Sequence, residues 1–332
     1  MEHLKILIQA HRRFLITTHM LPDGDGLGSE MALHAYLKGL GKQSEIINTH
    51  ETPDKFRLLD PAAKHIRVYD GKQSLKDFDA VIVLDTADRK MLGILEAPLM
   101  ALSIPIVFID HHVFEEGSKL NMNEKTHFLV NERCGSTGEL VYDIFKYLGA
   151  SLNAEIATAL YVAIMTDTLS FRLRQTTART HRIAAELLEL GLRPEALYQD
   201  IYGKDSVAKV KLLGHALERI ESTSDGKVTW LQITLRMREK FHATVEDTEA
   251  YINHLILIDG VFVAIVFRED DDGRIKVSLR GNHDLAVFGI AKKFGGGGHR
   301  SAAGARVAAP LKKVVSEVVA EASKLIRNKS EN

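Results

Sequence analysis

The sequence predicts an α/β fold: an N-terminal, doubly wound, mainly parallel sheet followed by a smaller C-terminal α/β domain. Up to about residue 190, short apolar runs alternate with stretches of helical period, the rhythm of a sheet covered on both faces. From Lys227 onward the character changes to alternating strands with helices between them. At 332 residues the chain is also long for one core, since cores seldom grow much past about 250 residues.

Element by element, Phe14-Leu15-Ile16 reads as a buried strand and Leu27 to Leu40 as a helix. Ser44 to Asn48, Asp79 to Leu84 and Pro105 to Ile109 read as strands, and Thr137 to Leu148 and Ala154 to Met165 as helices. Pro194 to Glu221 is helical and increasingly charged, which suggests a first domain over 1–190, a helical linker over 191–221 and a second domain over 222–330. In the second, Val228 to Ile233, Val261 to Phe267 and Arg274 to Leu279 read as strands. Asp270-Asp271-Asp272-Gly273 reads as a hairpin turn with a solvated acidic tip, and a closing helix runs from about Pro310 to Arg327.

With 45% hydrophobic and 26% charged residues, the composition is that of an ordinary globular protein. A formal net charge of −1 leaves no basic field to gather long polyanions, which favours a short substrate over a long duplex. The single Cys134 excludes an intrachain disulfide, suits a reducing cytoplasm and reads as a small buried side chain, not a nucleophile. No stretch approaches the roughly 20 apolar residues that cross a bilayer, and the start of the chain lacks a signal peptide's build. A cytoplasmic protein without a membrane partner is the expectation.

Chemistry concentrates in Thr18-His19-Met20-Leu21-Pro22-Asp23-Gly24-Asp25-Gly26-Leu27-Gly28-Ser29, which follows the first strand. Glycines there let the backbone aim His19, Asp23 and Asp25 at one point, as a divalent cation requires; an Asp-Gly surface turn beside a stray histidine is the plainer alternative. The pattern of an apolar run ending in such residues recurs three more times. Ala80 to Leu84 leads to Asp85, Ile106 to Ile109 leads to Asp110-His111-His112, and Ile156 to Met165 delivers Asp167. If these runs are neighbouring parallel strands, their carboxyl ends converge on one cleft.

Clustered, His19, Asp23, Asp25, Asp85, His111 and Asp167 place four carboxylates in mutual repulsion, which two divalent cations relieve. The set contains imidazole and oxygen but no thiolate. It points to manganese first, with magnesium, cobalt or zinc as substitutes, and away from a structural zinc.

Anion-binding candidates are spread more widely. Gly295-Gly296-Gly297-Gly298 is either a flexible linker or, following the helical Leu285 to Phe294, a backbone nest for phosphate built on residues such as Gly296, Gly297 and Gly298. Arg280 and Arg300 offer planar forks to a second phosphate, although solvated arginines are the commoner case. His299 can bond the same phosphate or stack on a base. Ser136 and Thr137 open a helix whose N-terminus favours an anion, and capping accounts for them equally well. His34, His50, His215 and His254 lack clustered partners and read as surface or packing residues.

On these residues the chain resembles the DHH family of phosphoesterases. Asp110-His111-His112 is the name-giving triplet; His19 to Ser29, Asp85 and Asp167 are similar to the first, second and fourth motifs; Gly295 to Gly304 resembles the glycine-rich signature of the associated DHHA1 domain. Within the family it is most similar to the stand-alone NrnA-type subgroup, small enzymes that hydrolyse very short RNAs and 3′-phosphoadenosine 5′-phosphate (pAp). The resemblance implies that His19, Asp23 and Asp85 hold one ion and Asp25, Asp85, His111 and Asp167 the other, with Asp85 bridging. It also suggests a homodimer. Two departures stand out: Gly26 replaces a common alanine, and Leu169 replaces a glycine that often follows Asp-Thr, altering the approach to the backbone near Thr168.

The implied reaction is two-metal hydrolysis of short 5′-phosphorylated oligoribonucleotides (nanoRNA, pApA) to 5′-mononucleotides and of pAp to AMP. His112 is then the candidate to touch the phosphoryl oxygen or protonate the leaving group, and Asp110 the partner that orients an imidazole. A nucleotide 3′-oxygen leaves in each case, and nothing in the residues ranks the substrates. The alternatives are a family II inorganic pyrophosphatase, whose basic Ser-Arg-Lys-Lys-Gln signature is missing; a RecJ-like single-strand exonuclease, expected to be larger and more positive; and a non-catalytic nucleotide-binding regulator, which does not need a bridging carboxylate.

Overall fold

The computed structural model describes residues 1–112, 125–282 and 285–330, and the side chains of His299, Lys329 and Ser330 lie outside that description. The chain divides into two compact units, Met1–Lys204 and Asp205–Asn332. Among the described residues, no helix is long and apolar enough to cross a membrane.

The first unit runs α1 (Glu2–Ala10), β1 (Arg13–Thr17), α2 (Gly24–Gly39), β2 (Gln43–Asn48), β3 (Ile66–Val68), β4 (Ala80–Leu84), α3 (Glu96–Met100), β5 (Ile106–Asp110) and β6 (Thr126–Val130), then α4 (Thr137–Leu148), α5 (Ala154–Asp167), α6 (Ala178–Leu188) and α7 (Pro194–Tyr202). Its strands form one parallel sheet in the order β3-β2-β1-β4-β5-β6. The period of two along each strand divides the core. Phe14, Ile16, Ile82, Val107 and Ile109 pack with the helices of one face, while Leu15, Val81, Val83, Ile106 and Phe108 pack with Leu92, Leu95 and Leu99 on the other. The order reverses between β1 and β4, so the crevice at their carboxyl ends is the place where an open α/β sheet receives a ligand.

The region Ile156 to Met165 follows its helical reading and is not one of the parallel strands whose ends converge. It belongs to α5, so Asp167 arrives from a helix end and not from a strand end. Fourteen residues with apolar side chains on all sides suit a central helix, which packs against α2. Where the two meet, Gly28 has no room for a side chain: a Cβ would lie 2.4 Å from the Ala159 carbonyl oxygen and 2.9 Å from the Ala163 Cβ.

The second unit contains α8 (Val207–Leu217), β7 (Glu221–Ser222), β8 (Val228–Ile233), α9 (Leu235–Phe241), α10 (Ile252–Ile256), β9 (Val263–Glu269), β10 (Ile275–Gly281), α11 (Phe288–Lys293), β11 (Gly297–His299), β12 (Ala302–Val307) and α12 (Leu311–Ser330). Its sheet has the order β11-β12-β10-β9-β8-β7, antiparallel except for the parallel pair β8–β9. α11 and α12 cover one face; α8, α9 and α10 cover the other. The charged stretch from Pro194 to Glu221 is thus two helices. Ile201 of α7 is buried in the first unit's core, whereas Leu212 and Ala216 of α8 belong to the second.

One expectation about the β9–β10 turn is corrected. Asp270 is buried, not a solvated tip: its Oδ1 accepts from Arg268 Nε at 2.8 Å, and its Oδ2 lies 3.4 Å from Arg306 Nε. A buried guanidinium requires a carboxylate partner, and the first acid of the run supplies it.

Gly28→Ala is expected to destabilise the first unit by about 1–3 kcal/mol, because the obstructing atom is helix backbone that cannot rotate away. Gly39→Ala meets nothing within 4 Å among the described residues and should be neutral or slightly stabilising. Urea midpoints of the two variants check this.

Candidate metal centre

β1 delivers its polar residues directly into the β1–β4 crevice. Beyond Thr17 the Thr18 hydroxyl donates to the Leu84 carbonyl at 2.8 Å, tying the end of β1 to that of β4. His19 follows, with Nδ1 at 2.9 Å from the Met20 carbonyl, so that Nε2 faces Asp85 Oδ2 at 3.4 Å and Asp23 Oδ1 at 3.8 Å. Asp23 caps α2, its Oδ1 accepting from the amides of Asp25 (3.0 Å) and Gly26 (3.2 Å).

Asp25 sits inside the first turn of α2 and is buried. Its oxygens accept from the amides of Thr137 (2.6 Å) and Gly138 (2.8 Å) at the start of α4. The expected anion at that helix N-terminus is therefore this chain's own Asp25. Ser136 and Thr137, read from sequence as substrate contacts, are fully buried: Ser136 Oγ caps the helix through the Glu139 amide at 3.1 Å, and Thr137 Oγ1 donates to Asp85 Oδ1 at 2.9 Å.

Asp85 is the junction. It adopts φ +62°, a left-handed turn that aspartate tolerates better than most residues. Oδ2 faces His19, while Oδ1 lies 3.8 Å from His111 Nε2. His111 Nε2 also lies 3.4 Å from Asp167 Oδ2 and 3.6 Å from Asp25 Oδ2, and its Nδ1 is 3.3 Å from the Cys134 carbonyl. Asp110 Oδ1 gathers the amides of His111 (2.7 Å) and His112 (3.1 Å) together with His112 Nδ1 (2.7 Å).

The six side chains singled out from sequence are thus brought together. Ligand atoms of His19, Asp23 and Asp85 lie within 4.8 Å of one another, as do those of Asp25, His111 and Asp167 and those of Asp85, His111 and His112. The arrangement suits cations on two grounds. Among the described residues, His111 Nε2 and Asp167 Oδ2 are buried without a hydrogen-bond partner, an arrangement that proteins seldom leave uncompensated. The carboxylates also strain against each other: burial, then Asp85 and Asp23, raise Asp167 to about 8, and burial, then Asp85 and Asp167, raise Asp25 well above the usual range. His19 moves the other way from burial's own effect, lifted to about 11 by its bonds to Asp23 and Asp85. Burial lowers His111, the state in which an imidazole binds metal.

Sequence reasoning missed the supports behind this cluster. Glu30, fully buried in α2 and raised to about 8 by burial, accepts from Asn48 Nδ2 at 2.9 Å; Asn48 Oδ1 in turn lies 3.4 Å from the Thr18 amide. Arg179 of α6 bonds Glu139 Oε2 at 2.6 Å and pairs with Asp143, bracing α4 behind Thr137. An acid on a helix buried on every side was the available signal for Glu30; nothing local signalled Arg179. Cys134 is a buried thiol pushed up to about 11 by burial, as an inert packing residue should be.

In the second unit the glycine run is neither a linker nor wholly an open nest. Gly297 and Gly298 form β11 against β12, and the Gly296 amide donates to the Ala291 carbonyl at 2.9 Å. A Cβ at Gly296 would lie 2.0 Å from the Gly304 carbonyl, which accounts for a glycine there without a ligand. Arg300 is exposed in the β11–β12 turn, and the Ser301 carbonyl next to it accepts from the Gly281 amide at 2.8 Å, so Arg280 and Arg300 lie at the same end of the sheet. Arg280 is partly buried, and burial lowers its pKa. The side chain of His299 lies outside the described residues.

Residues 13–164 match the model of the DHH family, N-terminal domain, and residues 214–328 match that of the DHHA1 domain. A Thermus thermophilus protein named bifunctional oligoribonuclease and PAP phosphatase NrnA is 30% identical over 294 residues, covering 87% of this chain and 82% of the relative. A Bacillus subtilis protein of the same name is 27% identical over 308 residues, covering 90% and 91%. The crystal structure of an exopolyphosphatase-related protein from Bacteroides fragilis aligns with TM-score 0.90 at 26% identity, covering 99% of this chain and 96% of that one.

Without divalent cations, the raised Asp167 and His19 make folding stability fall as pH rises. Each contribution is complete below the group's unfolded value, near 4 and 6.5, and is lost as pH climbs towards about 8 and 11. In EDTA the melting temperature should drop by several degrees between pH 6 and pH 9, and Asp167→Asn should flatten the dependence. Scanning calorimetry across that range is the check.

Proposed function

Since the chain belongs to the DHH family of phosphoesterases, we propose that it is a two-metal enzyme that hydrolyses short 5′-phosphorylated oligoribonucleotides, pApA among them, and also pAp. One observation carries the reading: Asp85 stands between two groups of ligand atoms, shared by His19 and Asp23 on one side and by His111 on the other. A binding module has no use for such a junction, whereas a pair of cations needs a bridge. The names of the Thermus thermophilus and Bacillus subtilis relatives, which cover nearly the whole chain, support the substrate class.

In this reading His19, Asp23 and Asp85 hold one cation, and Asp25, Asp85, His111 and Asp167 hold the other. Manganese is the ion of choice for a set that mixes imidazole with carboxylate. When bound, such a pair supplies Lewis acidity and charge neutralisation at a phosphoryl group. The chain's own residues do the rest. Thr137 Oγ1 fixes the rotation of the Asp85 carboxylate, and the Cys134 carbonyl fixes the ring of His111. Asp110 holds Nδ1 of His112, so the proton this imidazole passes to a departing 3′-oxygen is the one on Nε2. In the second unit Arg280 and Arg300, at the same end of the sheet as Gly297 and Gly298, offer guanidinium groups suited to an anion such as phosphate. The cytoplasm is the proposed setting, consistent with the lone buried thiol.

Purified chain with Mn2+ should release AMP from pAp and pApA and mononucleotides from RNAs of a few residues, with little action on pyrophosphate or long strands. Asp85→Asn should lower kcat about 1,000-fold or more, since it weakens both sets of ligands at once. Near-normal turnover by that variant would falsify the bridging role, and preferential hydrolysis of pyrophosphate would replace the substrate assignment.

A further inference from the structure

Immediately after Asp167 the backbone does something costly. Leu169, Ser170 and Phe171 have φ values of +46°, +58° and +64°, three successive non-glycine residues in the left-handed region. Each such residue costs on the order of 1–2 kcal/mol, and strain of this kind persists where surrounding structure enforces it, often at functional sites. Here the enforcing contacts are visible. The Ser170 amide donates to the Met165 carbonyl at 2.7 Å, the Phe171 amide donates to Thr168 Oγ1 at 3.1 Å, and the Phe171 ring stacks on His181 with centroids 5.4 Å apart. The turn brings Arg172 to the surface, where its Nε donates to the Leu169 carbonyl at 2.8 Å.

The same turn meets the end of α7. Tyr202 packs partly buried on the first unit's core, with its hydroxyl in reach of the Ser170 side chain and in the field of both Arg172 and Asp167. Its ring lies 4.9 Å from that of Tyr198, which is 48% exposed. Core packing accounts for Tyr202 but not for an exposed aromatic ring held against it. An aromatic surface edged by an arginine, beside a ligand of the metal centre, is chemistry that accepts a nucleobase by stacking.

We propose that the paired rings of Tyr198 and Tyr202, with Arg172 near Tyr202, form the platform that receives a substrate's nucleobase while its phosphoryl group is at the metal centre. The proposal rests on the nucleotide phosphoester reading above and adds a specificity site within the first unit. Stacking recognises any base by its ring face, so the platform predicts a strong requirement for a base and weak discrimination among bases.

The test compares pAp with its abasic analogue, the same ribose bisphosphate without adenine, using the Mn2+-loaded full chain, and compares AMP with ribose 5-phosphate by calorimetry in EDTA. Tyr198→Ala should raise KM for pAp about tenfold with kcat little changed, leave the abasic analogue unaffected, and weaken AMP but not ribose 5-phosphate. Tyr198→Phe, which keeps the ring, should restore most of the loss. Equal effects on substrates with and without the base overturn the platform. So does unchanged kinetics accompanied by an altered sedimentation coefficient, which assigns Tyr198 to a contact between copies of the chain. Failure of the wild type to hydrolyse pAp, pApA and short RNA alike overturns the nucleotide reading itself, and the platform with it.

Discussion

The repulsion among buried carboxylates at one end of the first sheet is the constraint around which this protein is organised. Asp25 and Asp85 are almost wholly inaccessible, and Asp167 lies against the same imidazole as Asp25. In a medium of low polarisability such a grouping drives protons onto its members unless positive charge is provided. Such a grouping has the chemistry of a receptacle for cations. The neighbouring architecture serves to hold acids where their own chemistry opposes them.

That holding is distributed. The first turn of α4 presents two amides to Asp25, and its threonine hydroxyl steadies Asp85. Behind α4, Glu139, Asp143 and Arg179 form an ionic brace. On the opposite side Glu30 and Asn48 lie beneath the start of the His19 loop. Close crossing of α2 with α5 at Gly28 is what brings Asp25 and Asp167 to a single histidine, since any side chain at that glycine would wedge the helices apart. Geometry at the centre is therefore a consequence of packing well away from it.

Much of this was legible without coordinates because it depends on local pattern. Apolar runs ending in His19, Asp85 and Asp110-His111-His112 are strands whose carboxyl ends must lie together in a parallel sheet, so their convergence follows from chain direction alone. The run before Asp167, legible as a helix in Ala154 to Met165 yet also matching the pattern of apolar runs that end in acids, obeys a different geometry. Its alanines and its length suit a helix buried on all sides, and a ten-residue apolar stretch reads similarly in either form. Asp270 was misjudged for a related reason: local sequence marks a turn, while the arginines that bury this acid come from β9 and β12.

Chain order by itself determined the parallel first sheet, the identity of the six clustered acids and histidines and the family to which they belong. Those features arise from periodicity and from residue type at strand ends, both of which are local. Tertiary structure alone decided that the α4 N-terminus receives Asp25, that Gly296 serves backbone packing against β12, and that the chain after Asp167 takes three successive left-handed residues while two tyrosine rings pair on α7. Each depends on groups separated by long stretches of chain, and a donor's partner is settled by which group reaches it first in the folded molecule, a matter on which linear spacing is silent.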